Sequence, residues 1–587
     1  MIRIAFAAIL TAAALLAQTA PKTADNCAPP PGSVPPTLPA QLLPGMGGVE
    51  FKITTANREA QAFFNQGVSQ MHSFWVREAE RSFLQAAKLD PAAPMPYWGI
   101  AMVAAGDYRP GFQLDLVNGL NPKASARTSK PTGAEARAID AAKRAQELAA
   151  APGAATEIEK LYIASVAARR DVSEKDPNQG YVAGLRAVIA RNPGEVEART
   201  YLALHLMSGF ELPAKTPRAG TTEAVALLRQ LLKDAPQHAG VHHYVIHGFE
   251  GSSFAKDAWP SCERYAALAA NIPHGLHMPG HIYAQTGRWF DAAKAFSAAA
   301  ANEYYWMDQD SLAGNGHHGH NVHFLATSYS FHGDYELALS AARSLLQYKE
   351  TPRELAQADN YRTAWRQGWF AILRTLVQHE KWDLILDGSS LPKYDKPRER
   401  AWRHWASAVA YAAKKDKDST AREIHLMDEA LKDFKEKVKQ DPPEPLLVAR
   451  TELDAHLALA AGNLNKAFEK FEQASARERA LRYNEPPLYP RPAAESLGRL
   501  ALLNGRAALA EKAFRLALEQ YPNSSVSEAG LAQLRNGSKA APSSGGADGA
   551  LCALNVHAQN GAAVRSGNSH VSGQFGGADG ALCASAF

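Results

Sequence analysis

The sequence predicts an all-α chain, a solenoid of stacked antiparallel helix pairs with irregular segments at both ends. Three observations predict it. In "EAERSFLQAAKLDP", Ala79, Phe83, Ala86 and Pro91 stand at offsets of four, three and five, and Ala510, Phe514, Ala517 and Pro522 repeat those offsets in "LAEKAFRLALEQYP". A glycine, Gly67 or Gly498, stands twelve positions before each leading alanine. Small residues at fixed offsets let two helices approach closely, and the proline stops the second one. Finally, 587 residues exceed what one compact core holds, so several domains or an elongated array is expected.

The chain opens with "MIRIAFAAILTAAALLAQTAPKTADNC", one early arginine followed by an apolar run that is too short to span a bilayer well. This is the pattern of a secretory signal peptide, assigned to residues 1–18, and it predicts a periplasmic or secreted protein with no integral membrane segment in the mature chain. Residues 19–56 are rich in Pro and Ala and are expected to be a linker. Residues 57–535 carry the helical periodicity. Residues 536–587 are dominated by Gly, Ala and Ser, contain "GGADGALCA" twice, and have too few large apolar residues for a core, so a disordered tail is expected. The four cysteines (Cys27, Cys262, Cys552, Cys583) are scattered without CxxC spacing and specify no disulfide. Lysine plus arginine number 63 against 59 acidic residues, interspersed, with no basic stripe; nucleic acid is not an expected partner.

The repeating offsets resemble the tetratricopeptide repeat (TPR), a helical hairpin of about 34 residues that stacks into a superhelix. Weaker copies fill the middle: Ala224, Leu228, Leu231 and Pro236; Gly280 with Ala292, Phe296 and Ala299; Ala338 and Ala342; Ala467, Phe471 and Ala474. The resemblance implies that the first helix of each hairpin lines a concave groove. It places His243, His247 and Glu250 on the groove side of one such helix, His274, His277 and His281 on the next, and His320 and His323 on a third.

The spacing of these histidines argues independently. Ten of the 20 histidines fall between His242 and His323. His243/His247 and His277/His281 are i,i+4 pairs and His320/His323 is an i,i+3 pair, so each pair is expected to share a helix face. Neighbouring helices pack roughly 8–10 Å apart, which lets their imidazoles converge. His242 falls on a packing position, and His317 and His318 sit in the apparent loop "GNGHHG"; these three are left out of the ligand set. Isolated histidines such as His72, His205, His332 and His379 read as structural or surface residues.

Neutral imidazoles with a carboxylate suit transition metals rather than calcium or magnesium. The expected ligands are His243, His247, His274, His277, His281, His320 and His323, holding one or two ions, with copper or zinc favoured over iron. Glu250 is the expected catalytic base or bridging carboxylate, and Tyr244, Tyr283 and Tyr329 could orient ligands. HEXXH, a P-loop, a dinucleotide fingerprint and a GxSxG elbow are all missing. The stretches "HHYVIHGFE", "HGLHMPGHIYAQTGRW" and "HNVHFLATSY", with "FNQGVSQMHSFWVREAERSF", are similar to bacterial exported TPR proteins with HxYxIH, HMPxHIY and HNxHFL runs. The expected function is an exported TPR metalloprotein, an oxidoreductase or a hydrolase. The alternatives are a scaffold that binds a peptide or small molecule in its groove, and a metal storage or delivery protein.

Overall fold

The computed structural model describes residues 35–110, 131, 133–173, 176–309, 316–481 and 484–537. The expected signal peptide, the start of the expected linker, the tail with both GGADGALCA copies, and Cys27, Cys552 and Cys583 lie outside these residues. What is described is a TPR-like α-solenoid of antiparallel helix pairs. Representative pairs are Arg58–His72 with Val76–Leu89, Pro273–Gln285 with Trp289–Gln309, and Ala493–Leu503 with Ala507–Gln520. Among the described residues the strands are confined to one short antiparallel ladder, Phe210–Glu211 against Thr216–Pro217, and no helix is long and apolar enough to cross a membrane.

The repeated offsets have a direct structural cause. A methyl group added at Gly67 would lie 2.6 Å from the Phe83 ring, and one added at Gly99, on the next hairpin, would lie 2.5 Å from it. Phe83 therefore fits only because two helices each offer bare backbone to its faces. The far end of the array repeats the device with Gly498, Phe514 and Gly530, where the corresponding distances are 2.8 and 2.4 Å. Between them, Phe296 packs against Gly280 and stacks on Phe324 at 4.1 Å between ring centroids. The prolines act as read: Pro91 and Pro522 follow the helices that end at Leu89 and Gln520.

Residues 35–56 depart from the linker reading. They lack helix, as their composition implies, but they form an extended strap bound to the first helix. Met46, Val49, Phe51 and Ile53 are buried. The strap's backbone N–H groups find side-chain acceptors on that helix in place of a neighbouring strand. Leu43 donates to Gln66 Oε1 (2.9 Å), Val49 to Ser69 Oγ (3.0 Å), Phe51 to Asn65 Oδ1 (3.2 Å) and Ile53 to Gln61 Oε1 (3.0 Å). Gln61, Asn65 and Ser69 are one turn apart and so share a face. The Phe51 ring meets Phe64, Trp98 and Tyr162 at 5.7, 5.9 and 5.3 Å. Replacing Phe51 with Ala should lower stability by about 3–5 kcal/mol, read as a clear downward shift of the first transition in urea; an unshifted transition would mean that the strap is a passive tether.

Candidate metal centre

Three helices deliver the histidines. Ala239–Phe249 carries His243 and His247, Pro273–Gln285 carries His274, His277 and His281, and Gly316–His332 carries His317 and His320. Two groups of three form. In the first, His243, His247 and His274 each offer a nitrogen, and these lie within 4.8 Å of one another; His277, His281 and His320 form the second group by the same measure. The groups adjoin, with the rings of His274 and His277 stacked at 5.7 Å.

The two groups are one design used twice. His277 follows His243 by 34 positions and His281 follows His247 by 34, the length of one repeat. Each group joins an i,i+4 pair on one helix to a single histidine near the start of the next helix in the histidine-bearing row. Gly280 lets Phe296 pack beneath this surface, and Phe296 itself lies 5.1 Å from the His277 ring.

The outer ring nitrogens of His243, His247 and His281 are held by acceptors. His243 Nδ1 donates to the carbonyl of His72 (2.5 Å). His247 Nδ1 donates to Glu250 Oε2 (3.0 Å), and His281 Nδ1 bonds the other Glu250 oxygen and contacts Glu485 as well. For His243 and His247 such bonds fix the tautomer and leave Nε2 with its lone pair toward the shared space. His243 Nε2 and His274 Nε2 are buried and have no hydrogen-bond partner in the structure. In the second group the Nε2 atoms of His281 and His277 touch, and His320 Nε2 is 3.3 Å from His277 Nε2.

Burial and the neighbouring imidazoles push His243, His274, His277 and His320 well below the ordinary histidine range, which keeps them neutral and competent as ligands. His281 goes the other way: burial pulls it down, but the carboxylates of Glu485 and Glu250 prevail and raise it to about 10. Burial would raise Glu250, yet the charges of His281 and His247 bring it down to about 2. Glu485 is carried up to about 7 by burial, because a single imidazole cannot compensate two carboxylates.

Six of the seven predicted ligands thus come together, and His323 does not. At about 100° per residue, His317 lies some 60° to one side of His320 and His323 some 60° to the other. Phe324, on the His317 side, meets the His281 ring at 5.7 Å, whereas His323 faces Phe370 at 5.9 Å. His317, set aside in the sequence reading, belongs to the cluster. Its ring lies 5.7, 5.3 and 6.0 Å from those of His274, His277 and His320, and its Nδ1 bonds Glu303 Oε2 at 2.8 Å. The apparent loop is already helix there, which is why its periodicity went unread. Glu250 faces the Nδ1 sides of the rings, with one oxygen on His247 and the other on His281, so it orients histidines of both groups and is not set as a free base.

Phe74 had no sequence signal. Its φ of 53°, a left-handed conformation rare for a bulky residue, drives the ring over His243, His247 and His274 at 4.5, 5.4 and 5.5 Å. Of the three tyrosines, Tyr244 takes part indirectly, bonding His72 Nδ1 at 2.9 Å. His72 and His238 bond the two oxygens of Glu197, each at 2.7 Å. That network has its own partners and serves to anchor the His72 carbonyl under His243.

No protein-family model matches the sequence, and no curated protein does. Solved TPR-repeat structures do match. A monomeric IFIT1 mutant with Gppp-AAAA is 11% identical, over 81% of this chain and 90% of that one, with a TM-score of 0.29. Yeast Tom70 is 13% identical, over 82% and 90%, with a TM-score of 0.25. Cut9 in the APC/C Cut9–Hcn1 hetero-tetramer is 12% identical, over 81% and 84%, with a TM-score of 0.26.

The isolated histidines sit among structural partners. His205 bonds Asn178 Oδ1 at 2.9 Å, and His379 bonds Ser330 Oγ at 3.1 Å. Burial, followed for His379 by the charge of Lys381, lowers both His379 and His456 to about 4. The unfolded chain, with histidines near 6.5, then binds more protons than the native one. Stability from these two groups is complete above about pH 6.5 and drains away toward pH 4, by roughly 2 kcal/mol for each after allowing for partial exposure. A His379→Asn, His456→Asn double variant should show a flatter decline of melting temperature between pH 6.5 and 4 than the parent; parallel curves would refute this.

Proposed function

We propose that the chain is a TPR-like metalloprotein whose inner helices hold two transition-metal ions, one at each histidine triad, and that it acts as an oxidoreductase. The observation that carries this reading is the pair of adjacent three-histidine groups, 34 residues apart in their paired residues, with the outer nitrogens of His243, His247 and His281 anchored and the inner nitrogens converging. Hydrogen bonding alone does not account for that arrangement, since buried nitrogens normally find partners, whereas His243 Nε2 and His274 Nε2 have none and the Nε2 atoms of the second group meet only one another.

Copper is favoured over zinc by the donor set. Each triad is all imidazole, with Glu250 turned to the Nδ1 side, and neutral nitrogen ligands suit a metal that moves between single and double charge. Two such ions together supply two electrons. The protein's part is to hold six rings in register, to keep His243, His274, His277 and His320 neutral by burial, and to screen the cluster with Phe74, Phe296 and Phe324. The zinc-hydrolase alternative needs a base aimed at bound water, and Glu250 has both oxygens engaged by histidines. The N-terminal segment reads as an export signal, and on that reading an oxidising compartment is where the protein works.

Metal analysis of untagged protein should give about two copper ions per chain. His243→Ala with His274→Ala should leave one, His277→Ala with His320→Ala should leave one, and His323→Ala should leave two, all with unchanged helical circular dichroism. Protein that stays metal-free after exposure to copper and to zinc ends the proposal. Glu250→Gln should weaken metal retention by 10–100-fold, as loss of a ligand-orienting partner does, measured by competition with a chelator.

A further inference from the structure

A cavity of about 400 Å³ lies against the second triad, between the ends of the Pro273–Gln285 and Leu464–Arg479 helices and residues 484–489. It shares two residues with the surroundings of that triad. Glu485 lines the cavity and contacts His281, and Phe324 lines it with its ring 5.7 Å from that of His281. The 34-residue translation explains the opening. The position equivalent to Glu250 is Ala284, which lines the cavity and leaves room for Glu485 to reach the ring.

The lining has a definite chemical character. Trp289, Tyr489 and Tyr521 supply buried aromatic surface. Of the charged groups, the buried ones are acidic: Glu478 is 1% exposed and the Glu485 side chain 8%. The basic ones lie at the rim, where Arg479 already pairs with Glu519 at 3.1 Å. Glu478 accepts from the Ala493 N–H (2.7 Å), the Tyr521 hydroxyl (3.2 Å) and Gln520 (3.4 Å), and among the described residues no cation forms an ion pair with it. Burial raises its carboxyl to about 8. Two carboxyls buried among aromatic rings are complementary to an organic cation, which would let them ionise and would pack on the rings.

We propose that this cavity binds a small organic cation, an arylalkyl primary amine, with its ammonium against Glu478 and Glu485 and its ring on Trp289 and Tyr521. Its role as the substrate pocket of the centre rests on the metal reading above; binding itself does not.

The experiment is calorimetric titration of the full chain, metal-free and copper-loaded, with benzylamine, benzyl alcohol and benzoate. Benzylamine should bind once per chain, at least tenfold more tightly than either of the others. Glu478→Gln should weaken it tenfold or more, and Leu488→Trp, which fills the cavity from its partly buried wall, should abolish binding; copper content should be unchanged in both. If Glu478→Gln fails to fold, Leu488→Trp decides alone. Equal binding of benzoate or benzyl alcohol, no benzylamine binding, or undiminished binding by Leu488→Trp overturns the proposal. Benzylamine binding to a chain that takes up no metal would instead remove the centre and leave the pocket.

Discussion

A phenyl ring that fits only where the facing helix bears no side chain governs this structure. Phe83 against Gly67 and Gly99, Phe296 against Gly280, and Phe514 against Gly498 and Gly530 each force two backbones close together. Close approach sets the distance between inner helices, and that distance decides whether imidazoles on neighbouring helices can share one point. Phe296 links the two levels. It fills the hairpin behind His277 and His281 and stacks on Phe324, which flanks the same rings. A larger residue at Gly280 would meet the Phe296 ring at 2.5 Å and displace the helix that carries three of the six clustered histidines.

The second constraint is electrostatic. Burying imidazoles side by side disfavours protonating them, since each charge would be desolvated and would repel the next, and His281 escapes this only because Glu485 and Glu250 face it. The chain handles this with acceptors placed on the outer nitrogens: the His72 carbonyl, Glu250 and Glu303. Those acceptors fix the orientation of the rings they reach, which an unsupported cluster would not do. Glu250 matters most, because its two oxygens reach rings in both triads and tie their orientations together.

Much of this was legible before any coordinates. The fold followed from the Ala, Phe, Gly and Pro offsets, and the i,i+4 pairs followed from helix geometry. What escaped were features that depend on rotation or on distant segments. An i,i+3 spacing keeps two residues near one face but not on the same side of a third, so His323 turned toward Phe370 while His317 turned inward. Glu485 lies 204 positions after His281 and meets it only through the superhelical path. Phe74 reaches the first triad through a single left-handed backbone conformation that composition does not announce. The strap at 35–56 was misread because proline content marks missing helix but says nothing of packing.

A solenoid suits a paired centre for a reason that lies in its symmetry. Translation by one repeat copies any groove feature onto the next hairpin, so a histidine pair established once needs no new backbone geometry to appear again. His243/His247 and His277/His281 have this relation. The copies then diverge where their surroundings differ. The first triad is closed by Phe74 and keeps its own Glu250, whereas the second has Ala284 in the equivalent place and takes Glu485 from a distant turn. The consequence is two similar histidine sets with unlike neighbours: one covered by an aromatic ring, the other bordering a cavity. Asymmetry of this kind gives the two positions different access to solvent and ligand, and places any exchange with small molecules on the side of His281.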